Sequence, residues 1–360
     1  MFNNKKIIKK YIEILNNNGN ILNYLINNIK YSINYKKINI GLSGDNVYIC
    51  KYNNKKVILK IYNNKKNYIN EIKMYKYVKK ILPNHIPLYY YYGDILDNKK
   101  IISNKVKANY IISEFVENIS LQESIISKCQ QNKLNNKIYK KLNSSKKQWR
   151  LVFIQIYYII SKMCMNLINH CDIHGENILI TINNKPKYIN FNHLSIKDKY
   201  TINKNDLLVK IIDLDTLTEF KIGKTITFCN SLKAFSGKMK YTVQGNILRH
   251  KCGVKLKKIL LQKNPLSKIL IGIINPYNGD LFNFYYFLES IYKYNIFNKI
   301  NILNIYNNIF LLSSLNLNKI YTKNKTKKNI RKYMIKYIKN ILNNIYNNLI
   351  YGNNINIKYL

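Results

Sequence analysis

Residues Asn169–Ile180 read NHCDIHGENILI, and residues Lys210–Asp215 read KIIDLD. Asp172 stands five residues before Asn177, two apolar residues then lead into a β-like run, and the later stretch has the look of a buried strand ending in Asp. Phosphoryl transfer needs such an order: one carboxylate to orient an attacking hydroxyl, and an amide plus a second carboxylate to hold a divalent cation on phosphates. The apolar stretch Leu151–Ile168 just before approaches the length of a membrane span, but Gln155, Lys162 and Asn166 interrupt it. A buried helix over Trp149–Asn169 that delivers the chain to the Asp172 loop is the expectation.

HCDIHGENILI resembles the catalytic loop of the protein-kinase-like superfamily, which reads H-R-D-L-K-x-x-N in protein kinases, and IIDLD resembles the strand that carries their D-F-G. The resemblance implies an α+β, bilobal fold with a small β-rich N-lobe and a larger, mostly helical C-lobe. It also implies that Asp172 accepts or orients the hydroxyl proton, that Asn177 and Asp213 bind the metal, and that His170 ties the loop to the metal-binding segment. ATP with Mg2+, or Mn2+ in its place, is the implied cofactor set. His174 departs from the usual Lys, and the H-x-D-x-H-x-x-N form is found in aminoglycoside and choline kinases and in some kinases of large DNA viruses. It either sits near the γ-phosphate or caps the loop. Asp215 occupies the Gly position of D-F-G, as in small-molecule kinases and viral kinases of the D-F-D kind.

Upstream, Ile38 begins a period-two pattern, INIGLSGDNVYICKY, then a turn at Asn53-Asn54 and KKVILKIY, which predicts two strands joined tightly. Gly41, Gly44 and Val47 occupy the place of a phosphate-covering glycine loop, where glycine lets backbone N–H groups approach phosphates. A plain hairpin turn would use the same residues, and the full G-x-G-x-x-G is missing. Lys60 ends the run VIL and resembles the V-A-I-K lysine that contacts the α- and β-phosphates. Glu71, eleven residues on in a helical segment with Ile69, Ile72, Tyr75 and Val78 on one side, is its implied ion-pair partner. Pro83 and Pro87 end that helix. After the strand IPLYYYYGDI, ANYIISEFVENISLQESI resembles the strand, hinge and helix joining two kinase lobes, with Glu114, Phe115 and Val116 at the adenine edge. Ser127–Lys147 is polar and reads as a loop or exposed helix.

The formal charge of +43 points to a polyanion partner, nucleic acid included, bound without sequence preference and sensitive to salt. Lys, Asn, Ile and Tyr are enriched together along nearly the whole chain, as an AT-rich genome would produce, so codon bias is the competing origin. A hydrophobic fraction of 47% with 33 Tyr excludes wholesale disorder and supplies a sizeable core. Six scattered cysteines, with neither C-x-x-C nor zinc-ligand spacing, fit a reducing compartment. MFNNKKIIKKYIEIL lacks an apolar h-region, so an intracellular, cytoplasmic protein with no transmembrane segment is expected, with virion association a further expectation.

The resulting division is an N-terminal helical extension over 1–37, an N-lobe over 38–117 with the hinge near its end, and a C-lobe over 118–360. The C-lobe would include an inserted hairpin over 181–209 and basic C-terminal helices. The long excursion before Asp213 resembles kinases of poxviruses and other large cytoplasmic DNA viruses. No A-P-E triplet follows Asp215, and a basic run from Lys238 to Lys258 could dock an acidic or phosphorylated substrate or be plain solvated surface. Asp280 resembles the buried C-lobe Asp that hydrogen-bonds the catalytic-loop backbone. The leading expectation is a viral-type serine/threonine protein kinase acting on a protein substrate, acidic or from the virion. The alternatives are an aminoglycoside- or choline-kinase-like enzyme and a catalytically silent kinase-fold module that binds polyanions.

Overall fold

A computed structural model describes residues 24–26, 29–37, 46–52, 55–96, 107–130, 135–170, 172–219, 280–281, 284–285, 287–288, 291, 304–305, 308 and 327–351. Gly41, Gly44, the Asn53-Asn54 turn and the basic run Lys238–Lys258 lie outside them. The chain divides into two compact units, one of residues 1–77 and 86–117, the other of residues 78–85 and 118–360.

In the first unit six antiparallel strands form one sheet in the order β1-β2-β3-β4-β6-β5. They are β1 (Tyr24–Ile26), β2 (Ile29–Lys37), β3 (Asn46–Tyr52), β4 (Lys55–Tyr62), β5 (Tyr89–Leu96) and β6 (Lys107–Glu114). The helical extension expected over 1–37 is therefore corrected at 24–37, where the chain pairs as a hairpin with Ile26 opposite Ile29. The physical reason is the period: Ile29, Tyr31, Ile33 and Tyr35 alternate with Lys, Ser, Asn and Lys, which suits a pleated strand better than a 3.6-residue turn. β3 and β4 pair from Asn46↔Ile61 to Tyr52↔Lys55, a two-residue connection as expected. Along β4, Val57, Leu59 and Ile61 are buried on one face, which leaves Lys60 and Tyr62 to share the other. Helix α1 (Lys65–Ile81) buries Glu71, Ile72, Met74, Tyr75 and Val78, whereas Ile69 is exposed and leaves the expected apolar stripe.

The second unit opens with β7 (Ile119–Ser120), α2 (Leu121–Gln130), α3 (Lys137–Ser144) and α4 (Lys146–Met165). α3 lies inside the segment read as a loop or exposed helix, and it buries Ile138, Tyr139 and Leu142. Ser145 starts α4 by accepting a hydrogen bond from the Gln148 N–H at 3.3 Å, and side chains are buried all round the helix. No described helix is long and apolar enough to cross a membrane.

After α4 come β8 (Ile168–Asn169), β9 (Ile178–Ile182), β10 (Lys187–Asn190), β11 (Lys199–Ile202), β12 (Leu207–Ile211) and β13 (Thr218–Glu219). β12, β9 and β7 form a three-stranded sheet, while β10 and β11 pair separately as a hairpin set into the connection between β9 and β12. Helix α5 (Lys327–Ile350) closes the described chain against this insertion. Its Tyr346 and the Tyr351 that follows it donate their hydroxyls to the Asp198 carboxylate at 2.6 and 2.5 Å, and Tyr346 packs its ring 4.7 Å from that of Phe191. Among the described residues, a β-rich first unit carrying one helix and a larger second unit with a three-stranded sheet and long helices make this an α+β fold.

Candidate active site

In the first unit, Lys60 Nζ lies 3.0 Å from Glu71 Oε2, so strand β4 and helix α1 pair the two residues singled out by sequence. Glu71 is buried, and a buried carboxylate needs donors. Beyond Lys60 it has two that sequence reading missed: the Tyr62 hydroxyl donates to Oε2 and the Tyr89 hydroxyl to Oε1. Burial, followed by the Glu71 charge, pushes the Tyr89 phenol well above its ordinary range and keeps it a donor. Alternation alone signals that Tyr62 shares the face of Lys60, but nothing local signals Tyr89. Val47 on β3 is paired with Lys60 in the strand register and is half-buried. At the end of β6 the Glu114 N–H donates to the Leu88 carbonyl at 2.8 Å, and its carboxylate accepts from the Leu88 N–H at 3.0 Å. Val116, two residues on, is buried.

In the second unit the Asp172 loop is held from three sides. The buried Asp280 accepts from the His170 N–H at 2.7 Å, an architectural contact on the residue that sequence had marked for it. Thr216 Oγ1 donates to the His170 carbonyl at 2.9 Å, and β13 pairs with β8 beside it. Burial pulls the His170 imidazole down to about 4, so at neutral pH its uncharged ring donates from Nε2 to the Ile212 carbonyl at 3.0 Å. The Ile212 N–H in turn donates to the Asn177 carbonyl at 3.0 Å. Both backbone groups of the residue preceding Asp213 are thus bonded to the loop that carries Asp172.

Asn177 closes the loop on itself. Its Nδ2 donates to the Asp172 carbonyl at 2.9 Å, and its backbone N–H to the His174 carbonyl at 3.0 Å. Since Nδ2 is committed to Asp172, Oδ1 is the amide atom whose lone pairs can be offered to a cation. The Asn177 amide oxygen and the Asp213 carboxylate are both hard oxygen donors, the kind that a divalent ion such as Mg2+ takes. Asp213 adopts φ 62° and ψ 65°, a left-handed conformation that costs a side-chain-bearing residue about 1–2 kcal/mol and recurs at functional sites. His174 Nε2 lies 3.6 Å from Asp172 Oδ2, and its Nδ1 accepts from the Glu176 N–H at 3.3 Å. The side chains of Asp172 and His174 keep 21% and 22% of their exposure, enough to meet a substrate.

The strand leading to Asp213 depends on two residues that sequence reading gave no such role. Along β12, Gln155 Nε2 donates to the Leu207 carbonyl at 2.9 Å, and its Oε1 accepts from the Val209 N–H at 3.0 Å. His85 Nδ1 then donates to the Val209 carbonyl at 2.8 Å, and the His85 carbonyl accepts from the Ile211 N–H at 2.8 Å. The edge of β12 away from β9 is bonded to a glutamine and a histidine instead of another strand. Gly175 is needed for close approach: a Cβ there would lie 2.7 Å from Gln122 Cβ and 2.9 Å from Gln122 backbone atoms. At that contact the Gln122 N–H donates to the Gly175 carbonyl at 3.1 Å.

No family model matches the sequence, and no curated protein does. Solved structures do match. One is the crystal structure of a kinase domain, similar with a TM-score of 0.40 at 15% identity, over 92% of this chain and 94% of that one.

Proposed function

We propose that the chain is an ATP-dependent phosphotransferase acting on serine or threonine hydroxyls of a protein, of the type carried by large DNA viruses. The observation that carries the reading is the clasp between Asn177 and Ile212, which holds the Asp172 loop against the residue preceding Asp213. Asp172 would orient the acceptor hydroxyl and take its proton as the oxygen attacks the γ-phosphorus. Lys60, fixed by Glu71, would contact the α- and β-phosphates, with the backbone at Gly41, Gly44 and Val47 covering them and that at Glu114 and Val116 meeting adenine. Asn177 and Asp213 would hold Mg2+ or Mn2+, which supplies charge neutralisation on the phosphate oxygens when bound. A cytoplasmic location and an acidic or virion protein substrate complete the reading, and the +43 charge favours additional, salt-sensitive binding to polyanions.

One observation favours a second acceptor class. His174, 3.6 Å from Asp172, puts an imidazole where protein kinases carry a Lys, which suits a small amino alcohol or aminoglycoside. Incubation with labelled ATP, Mg2+ and casein, with and without an aminoglycoside, separates the readings. Label on casein that Asp172→Asn reduces at least about a hundredfold is the expected result. Label on the aminoglycoside alone would transfer the reading to the second class. ATP binding with no transfer to either would overturn both and leave a silent module.

A further inference from the structure

The Lys60–Glu71 pair of the first unit is built with more support than an ion pair needs. Three donors converge on one carboxylate: Lys60 Nζ and the Tyr62 hydroxyl on Oε2, and the Tyr89 hydroxyl on Oε1. The donors belong to strands β4 and β5, and the carboxylate belongs to helix α1. Only 3% of Glu71 is exposed, so moving α1 away from the sheet would strip all three bonds from a buried charge.

Each tyrosine is itself fixed. The Tyr89 ring stacks on Tyr75 of α1 at 3.8 Å with 5° between the planes, and the Tyr89 N–H donates to the Tyr75 hydroxyl at 3.0 Å. Tyr62 is almost fully buried, and its ring lies 4.8 Å from Lys60 Nζ, so one side chain backs the cation and bonds the anion. Tyrosine is abundant in this chain, but composition alone does not aim two hydroxyls at the two oxygens of one buried carboxylate. In protein kinases generally, activation-loop phosphorylation and helix position control whether the Lys–Glu pair forms. Here strand residues of the same unit bond the glutamate directly.

We propose that Tyr62 and Tyr89 are positioning residues that hold Glu71 against Lys60, so that the pair stands assembled without an activating modification. The proposal deepens the phosphotransferase reading and rests on it for the role of Lys60, but the assembly of the pair can be measured without ATP. The full chain, phosphatase-treated or untreated, is compared with Tyr62→Phe, Tyr89→Phe, the double variant and Glu71→Gln. The first readout is the rate at which Lys60 Nζ is acylated by an amine-reactive ester, resolved by site with mass spectrometry and referred to neighbouring lysines. The second is kcat and KM for ATP with casein.

The double variant should label Lys60 roughly tenfold faster than the parent and as fast as Glu71→Gln, with each single variant between. Phosphatase treatment should leave the parent rate unchanged, and kcat should fall in the same order as labelling rises. Parent-like Lys60 labelling in the double variant, or phosphatase treatment that raises labelling to the Glu71→Gln rate, overturns the proposal. If the double variant unfolds, Tyr89→Phe alone decides, since that ring stays stacked on Tyr75 when its hydroxyl is removed. Tyrosine-dependent labelling in a parent that transfers no phosphate upholds the positioning and removes the kinase reading.

Discussion

Gln155 interrupts the apolar run of α4, and its amide satisfies two backbone groups of β12 that would otherwise be buried without partners. Replacing it with Leu keeps the volume but orphans the Leu207 carbonyl and the Val209 N–H. A loss of about 2–4 kcal/mol is expected, read as a lower urea midpoint at unchanged slope. Gly175→Ala is the matching steric case, because backbone atoms of Gln122 stand at 2.9 Å and cannot swing aside. It should destabilise by about 1–3 kcal/mol. Shortening Gln122 should not rescue it, a point checked by the thermal midpoint of the double variant. The contact of Lys60 with Glu71 and the closure of the Asp172 loop by Asn177 were legible because each joins residue types that chemistry restricts at a spacing that chemistry restricts. The roles of Gln155 and His85 were not, because their partners are backbone groups 52 and 124 residues away and any polar side chain of fitting reach would give the same sequence signal.

Elements were legible where the period was unambiguous. The β3–β4 hairpin, α1, α4 and the inserted β10–β11 pair follow their patterns, whereas β2 was misread because Ile and Tyr recur densely enough to satisfy a helical template as well as an alternating one. α5 shows a dependence that periodicity cannot reveal. Asp198, in the insertion, accepts from both Tyr346 and Tyr351, and burial first, then the Asp198 hydrogen bond, raises the Tyr346 phenol far above its ordinary range. Asp198→Ala removes the shared acceptor and should cost about 1–3 kcal/mol. The loss should appear locally, as faster amide hydrogen exchange over the last turns of α5, before it appears in global unfolding.

At the scale of the whole molecule, histidines withdrawn from water make the fold sensitive to acid. Burial lowers the imidazoles of His85 and His170 from 6.5 to about 4, and that of His193 to about 3. The unfolded chain takes up these protons below about pH 6.5, while the folded chain resists them until near pH 4, so falling pH across that window favours unfolding. His85 and His170 each withdraw up to roughly 3 kcal/mol by the bottom of the window. Thermal midpoints should hold above about pH 6.5 and fall steadily from there towards about pH 4.5, and His193→Gln should flatten part of the slope. A midpoint constant from about pH 7 to about pH 4.5 would show that these rings are hydrated in the folded protein.

The Tyr157 hydroxyl, in the middle of α4, donates to the Leu342 carbonyl at 2.5 Å across 185 residues of chain. Translation at about 5–20 residues per second puts roughly 10–40 s between the two partners' emergence from the ribosome. Throughout that delay the Tyr157 hydroxyl lacks the α5 carbonyl that it bonds in the folded protein. The interval is long enough for a chaperone to engage α4 before α5 emerges to cover it.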